Sequence, residues 1–263
     1  MTHSQSQVKI DFGTLAKPGE KEKETQSYQS EIKSMMYACG DVRTPEKESS
    51  LYIEQIVYAQ MKRLLEKSTE VSRLRESKHT TIEDVVFVLR KHPCRVKKLS
   101  NYIIFKDVRN KVKREVVSLS TRTDNRLKYG WLLANTYENV DELKERLLTI
   151  DRMTERMTKE EYLDFTECRQ ASFTFRKMKK FKEFLNTDYK IKDDIVDILG
   201  FVACEIVFDI VSLAGEISSK KLKKTDEQPN VQGMFRIKPR KVPISIPDID
   251  EACRRLKVLG ILC

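Results

Sequence analysis

The chain has 263 residues, with 34% charged and 40% hydrophobic side chains, 8 Gly and 7 Pro. So few breakers among so many Lys, Glu, Leu and Arg favour an all-α chain, long enough for one large core or two small ones. The formal charge of +10 suggests nucleic acid or acidic protein partners. The six cysteines form no C-x-x-C pair and there are only three His, so zinc-ligand spacing is absent and reduced thiols are expected.

Residues 1–26 are polar, hold Pro18-Gly19 and show no periodicity, so they are expected to form a disordered tail without an apolar signal region. Ser27 is placed to cap a helix containing Ile32, Met35 and Met36, and Gly40 stands where a helix stops. A long helix is expected from Ser49 to Arg75. Its Ile53, Ile56, Val57, Met61, Leu64, Leu65, Val71 and Leu74 fall within about half the circumference at 100° per residue. Thr80-Thr81 then caps Ile82–Arg90, with Glu83 and Asp84 in the first turn, and Pro93 is expected to close this unit.

Residues 97–158 read as a basic, partly helical connector. Lys91–Lys128 holds 12 Lys/Arg against 3 Asp/Glu, with Tyr102 and Phe105 among them. That mixture fits weak DNA binding, an acidic protein contact or a solvated face. Val112–Leu119 reads as a short apolar segment, and Trp131–Ala134 and Leu143–Ile150 as segments that pack on the rest. Thr158 with Glu161 has the spacing of a capping box.

The signature of medium, long and short helix then returns. Thr166–Leu185 is expected to be helical, broken at Asn186–Asp188. Lys192–Lys220 reads as a second long helix, apolar on nearly every side, so covered on both. Ser218–Ile246 is polar and Pro-spotted, a long loop before a last helix opening at Pro247 with Asp248 and Asp250. The stretch Ile195–Ala214 has about membrane length, but Asp197, Glu205 and Asp209 are costly in lipid, so no membrane span is expected. Basic clusters at Arg176–Lys180, Lys220–Lys224 and Arg236–Lys241 fit nuclear import or solvated faces.

One such unit leaves a broad apolar face exposed, and two in one chain can cover each other. The expected interface holds Ile53, Ile56, Val57, Met61, Leu64, Val86, Leu199, Val202 and Ile206. Glu205 and Asp209, one turn apart on an apolar helix, are either paired with a connector Lys or Arg or form a docking spot for a basic partner. No P-loop, dinucleotide fingerprint or nucleophile with a partner base is present, so the chain reads as an assembly protein with no cofactor, metal site or catalytic residue.

The helix order and the Thr80-Thr81-Ile82-Glu83-Asp84-Val85-Val86 entry resemble the histone fold. Tyr28–Tyr37, Ile82–Arg90, Asp193–Phe201 and above all Glu167–Lys177 resemble the SPT-three (suppressor of Ty) family, the double-histone-fold subunit of the SAGA transcription coactivator complex. The resemblance covers roughly 26–109 and 157–259. It implies histone folds at 27–96 and 159–263, paired within one chain, the second with a long loop at 218–246. It implies an acid–base pair of Asp84 with a residue before the third helix, which falls on Lys78, with Arg75 nearby. It further implies a nuclear, non-enzymatic coactivator that joins other histone-fold subunits and helps recruit the TATA-box-binding protein, with Arg169 and Gln170 as candidate partner contacts. A histone-like DNA-binding protein, or a histone-fold subunit of the general initiation machinery, are the alternatives.

Overall fold

The computed structural model describes residues 27–117, 140–187, 191–226 and 242–258. The expected tail at 1–26, Trp131–Ala134 and most of the 218–246 loop lie outside the described residues. Every regular element described is a helix: α1 (Gln29–Ala38), α2 (Lys47–Leu74), α3 (Ile82–Leu89), α4 (Pro93–Val117), α5 (Val140–Thr154), α6 (Lys159–Arg169), α7 (Met178–Leu185), α8 (Asp193–Asp226) and α9 (Ile246–Val258).

The first unit is α1–α3. The N-cap of α1 is Tyr28, one residue after the expected Ser27, whose Oγ accepts from Gln29 N at 3.3 Å from outside the cap position. Gly40 takes φ +109°, the left-handed conformation that ends α1 cheaply. Along α2, Ile53, Val57, Met61, Leu64 and Leu65 are buried together with Ser49, Ser50, Ser68 and Ser72. The buried hydroxyls are satisfied by backbone carbonyls: Ser50 donates to Lys47, Ser68 to Leu64 and Ser72 to Ser77. Thr81 and Asp84 close a capping box at the start of α3.

The second unit is α7–α9. Asn186 (φ +41°) ends α7 in the left-handed region, which asparagine tolerates better than most residues. Ile195, Val196, Leu199, Val202, Ala203, Ile206, Val207, Ile210 and Val211 of α8 are all buried in one core shared with α1–α3. Helices α1 and α2 pack directly on α8, and α2 also meets α7 and α9.

Several boundaries differ from the sequence reading. Pro93 opens α4 instead of closing the unit, because its fixed φ and missing N–H suit the first turn of a helix. Helix α4 then runs unbroken to Val117, absorbing the start of the expected short segment Val112–Leu119. The expected helix Thr166–Leu185 is two helices, α6 and α7, separated by a turn in which Arg176 takes φ +56°. Helix α8 continues through Ser218–Asp226, shortening the expected loop. Leu147 and Leu148 of α5 are half exposed, so α5 does not bury that part of its apolar stripe.

Candidate functional site

The two units are joined by a set of specific contacts around a shared aromatic centre. Tyr28 is fully buried, its ring 5.0 Å from Phe173 and 5.1 Å from Phe184. Its hydroxyl donates to the Phe173 carbonyl at 3.0 Å, and its backbone N–H donates to Glu54. Beside it, Glu31 accepts from Lys177 at 2.7 Å and Lys180 at 3.1 Å. Burial alone would raise the Glu31 carboxyl, but the two lysines outweigh it and hold it below its usual value. At the other end, Ser49 Oγ donates to the Ile244 carbonyl at 2.8 Å, and the Ile244 N–H donates to Asp41 at 3.1 Å. Tyr52 donates to Asp250 at 2.5 Å, which pushes the phenol up to about 12.

Of the expected interface residues, Ile53, Val57, Met61, Leu64, Leu199, Val202 and Ile206 are buried in the common core. Ile56 and Val86 are partly buried against it. Asp84 is buried and accepts from Arg75 Nη2 at 3.0 Å, while Lys78 is exposed. The pair expected of Lys78 is therefore made by Arg75. Arg75 follows directly on α2 and reaches both Thr81 and Asp84, and its planar fork suits that geometry.

The second side of α8 is covered by α4. Arg95 meets Asp209 at 3.0 Å, Lys98 meets Glu205 at 3.2 Å, Tyr102 stacks on Phe201 at 4.3 Å, and Lys106 pairs with Asp197. Each step of three or four residues forward on α4 meets a step of four back on α8, so the two helices run antiparallel. Tyr102 also donates to Asp197 at 2.8 Å. From α5, Arg146 reaches Glu205 at 2.9 Å and lies over the Phe208 ring. Glu205 and Asp209 are thus internal ion-pair partners, 12% and 17% exposed, and the docking reading for them is wrong. A carboxylate that enters an apolar surface must find a cation there. Burial raises the Asp209 carboxyl even so, against the pull of Arg95 and Lys98.

Arg169 and Gln170 are exposed at the end of α6, away from these contacts. Phe173 is buried, whereas Phe175 is 65% exposed with Arg176 over its ring, so only one of the two phenylalanines belongs to the core. Helix α6 itself packs on α1 through Tyr37–Phe165, ring centroids 5.8 Å apart, and on the segment after α1 through Arg43–Asp164. The sequence reading missed Arg95, Lys98, Tyr102 and Lys106 as partners of α8. Their three-to-four spacing on one strip of α4, facing Asp197, Phe201, Glu205 and Asp209, is the signal that carries them.

Burial pushes the Cys39 thiol up to about 12 and the Cys204 thiol to about 11, so neither is a ready nucleophile. Cys39, Cys94, Cys168, Cys204 and Cys253 are free thiols. Among the described residues no group of His, Cys, Asp and Glu is placed to hold a metal ion, and no helix is long and apolar enough to cross a membrane. The geometry is that of a closed helical pair.

A family model, the 18 kDa subunit of transcription initiation factor IID, matches residues 26–117, which is α1–α4. The SAGA complex subunit Spt3 of Schizosaccharomyces pombe is 35% identical over 70% of each chain. The SAGA complex subunit SPT3 of Saccharomyces cerevisiae is 30% identical over 74% of each. Transcription initiation factor TFIID subunit 13 of Dictyostelium discoideum is 38% identical, but over 27% of this chain and 65% of its own.

Proposed function

This chain belongs to the Spt3 family of SAGA complex subunits, and from that premise we propose that it is a nuclear adaptor that helps recruit the TATA-box-binding protein to promoters. As a member of that family it is a transcription coactivator subunit built on the histone fold. The division into a first histone fold at 27–96 and a second at 159–263 is part of the proposal, as is the absence of any catalytic role. The interface assignment of Ile53, Ile56, Val57, Met61, Leu64, Val86, Leu199, Val202 and Ile206 goes with it.

The observation that carries the reading is the closed pair. The aromatic centre at Tyr28 and the Asp41–Ile244 and Ser49–Ile244 bonds join two incomplete units of one chain. A unit completed by its own second half is a fixed platform, free to present its outer surfaces to other subunits. Arg169 and Gln170, with Phe175 nearby in sequence, are exposed in the stretch most like the family, and we assign them to partner contact.

The test is affinity purification of the tagged full chain with identification of the chains that come with it. A histone-acetylating complex together with the TATA-box-binding protein is the expected outcome. Recovery of the general initiation machinery alone would reassign the chain, a reading favoured by the match of α1–α4 to an initiation-factor subunit. Arg169→Glu with Gln170→Ala should weaken retention of the TATA-box-binding protein while leaving the melting temperature unchanged.

A further inference from the structure

Helix α4 has two faces, and α8 occupies one. Arg95, Lys98, Tyr102 and Lys106 face α8. Roughly a quarter-turn round the same helix, at 100° per residue, lie Phe105, Val108 and Val112. They recur at i, i+3 and i+7, the spacing of a helix face that docks against another helix. They are 67%, 40% and 51% exposed.

The register of the ladder shows how far α8 runs alongside α4. Lys106 stands against Asp197, so Arg109 and Asn110 reach the level of Asp193 and Asp194, where α8 begins. Helix α4 continues to Val117. Its last seven residues therefore overhang α8 by about 10 Å at 1.5 Å per residue. Among the described residues α4 packs chiefly on α3 and α8. In sequence, Asp107 is followed by Arg109, Lys111, Lys113 and Arg114, with Glu115 the one acid up to Val117.

We propose that the outer face of α4, formed by Phe105, Val108 and Val112 with Arg109 beside them, is a docking surface for an acidic amphipathic helix of a partner protein. Arg109, with the basic run that follows it in sequence, selects an acidic partner, and the apolar stripe gives that partner something to bury. The inner face of α4 supplies the pattern: there it receives a helix whose acids, Asp197, Glu205 and Asp209, alternate with an aromatic, Phe201. Duplex DNA fits the surface less well. Arg95, Lys98 and Lys106 are already spent on α8, and phosphate contacts have no use for an exposed Phe and two Val.

The test uses the purified full chain and a fluorescein-labelled designed peptide carrying Glu on one helical face and Leu and Phe on the other. A scrambled peptide of the same composition is the control. Fluorescence anisotropy should show saturable binding of the amphipathic peptide and at least about tenfold weaker binding of the scrambled one. Phe105→Asp with Val112→Asp should weaken binding about tenfold or more, and Arg109→Glu severalfold, with the melting curve kept. Arg109→Glu, at an exposed site, serves if the double variant fails to fold. The proposal falls if both peptides bind alike or if the substitutions leave binding unchanged. It also falls if the stripe instead mediates concentration-dependent self-association. Salt-sensitive binding to duplex DNA, lost with Arg109→Glu but not with the apolar substitutions, overturns it in favour of a nucleic-acid surface. Retention of the TATA-box-binding protein by the Phe105→Asp/Val112→Asp chain separates this surface from the Arg169–Gln170 reading.

Discussion

Replacing Asp209 by alanine should strand Arg95 against an apolar helix. The two side chains are 17% and 11% exposed and meet at 3.0 Å. Arg95 Nε is already buried without a hydrogen-bond acceptor among the described residues, so Asp209 supplies its main compensation. Breaking a buried pair from one side costs about 3–5 kcal/mol, and the lower end applies because both groups keep some water. Loss of the repulsion between Asp209 and Glu205 offsets a small part of this. At about 2–4 °C per kcal/mol for a chain of this size, about 3 kcal/mol lowers the melting temperature by roughly 6–12 °C. Burial raises the Asp209 carboxyl despite Arg95, so the pair offsets its own desolvation poorly. Replacing both, as Arg95→Met with Asp209→Leu, should therefore recover most of the loss. Urea and thermal unfolding followed by circular dichroism, run as a double-mutant cycle, measure both effects. A single variant within about 0.5 kcal/mol of the parent, or a double variant no better than the single, would refute the reasoning.

Gly200→Ala should destabilise the fold by about 1–3 kcal/mol, since an added Cβ meets the buried Thr174 side chain on the 173–177 turn. Thr174→Ala in the same chain should restore most of it, and chemical denaturation of the three variants decides. Arg75→Ala should cost about 1 kcal/mol through its partly exposed pair with Asp84, and Lys78→Ala less than about 0.5 kcal/mol. Equal effects would mean that Lys78 shares the pair. Glu31 is held below its usual value of 4.5, so its contribution is present above that pH and is lost as pH falls through the depressed folded value. Glu31→Gln should flatten the stability profile below about pH 4.5. An unchanged acid limb in melting experiments would show that the lysines do not act on it.

Element types were largely legible in the sequence because α2 carries a wide apolar stripe, α3 opens on a capping box, and α8 is a long apolar run with acids in its first turn. What escaped it has particular causes. Pro93 can end one helix or begin the next, and only tertiary packing against α3 and α8 decides between them. Thr166–Leu185 has apolar residues throughout, so periodicity gave no sign of the break after Arg169. The two carboxylates on α8 were recognised as needing partners. Which cations they meet depends on a register between residues about a hundred positions apart, and local pattern does not carry that. The Arg75–Asp84 pair was missed by three residues because helix ends are the least certain part of any such reading.

The bonds that close the pair join distant parts of the chain. Tyr28 meets Phe173 across 145 positions, and Ser49 meets Ile244 across 195. On a ribosome adding about 5–20 residues per second, Ile244 follows Ser49 by about 10–40 s. For that interval the apolar face of α2 has no second half to cover it, and the nascent chain depends on chaperones or on a loosely collapsed state. Once synthesis ends, the missing half is tethered, and assembly becomes independent of concentration. A pair encoded as two chains would hide each face only by finding its mate. Here the hazard falls during translation, and every completed molecule carries its mate in equal amount.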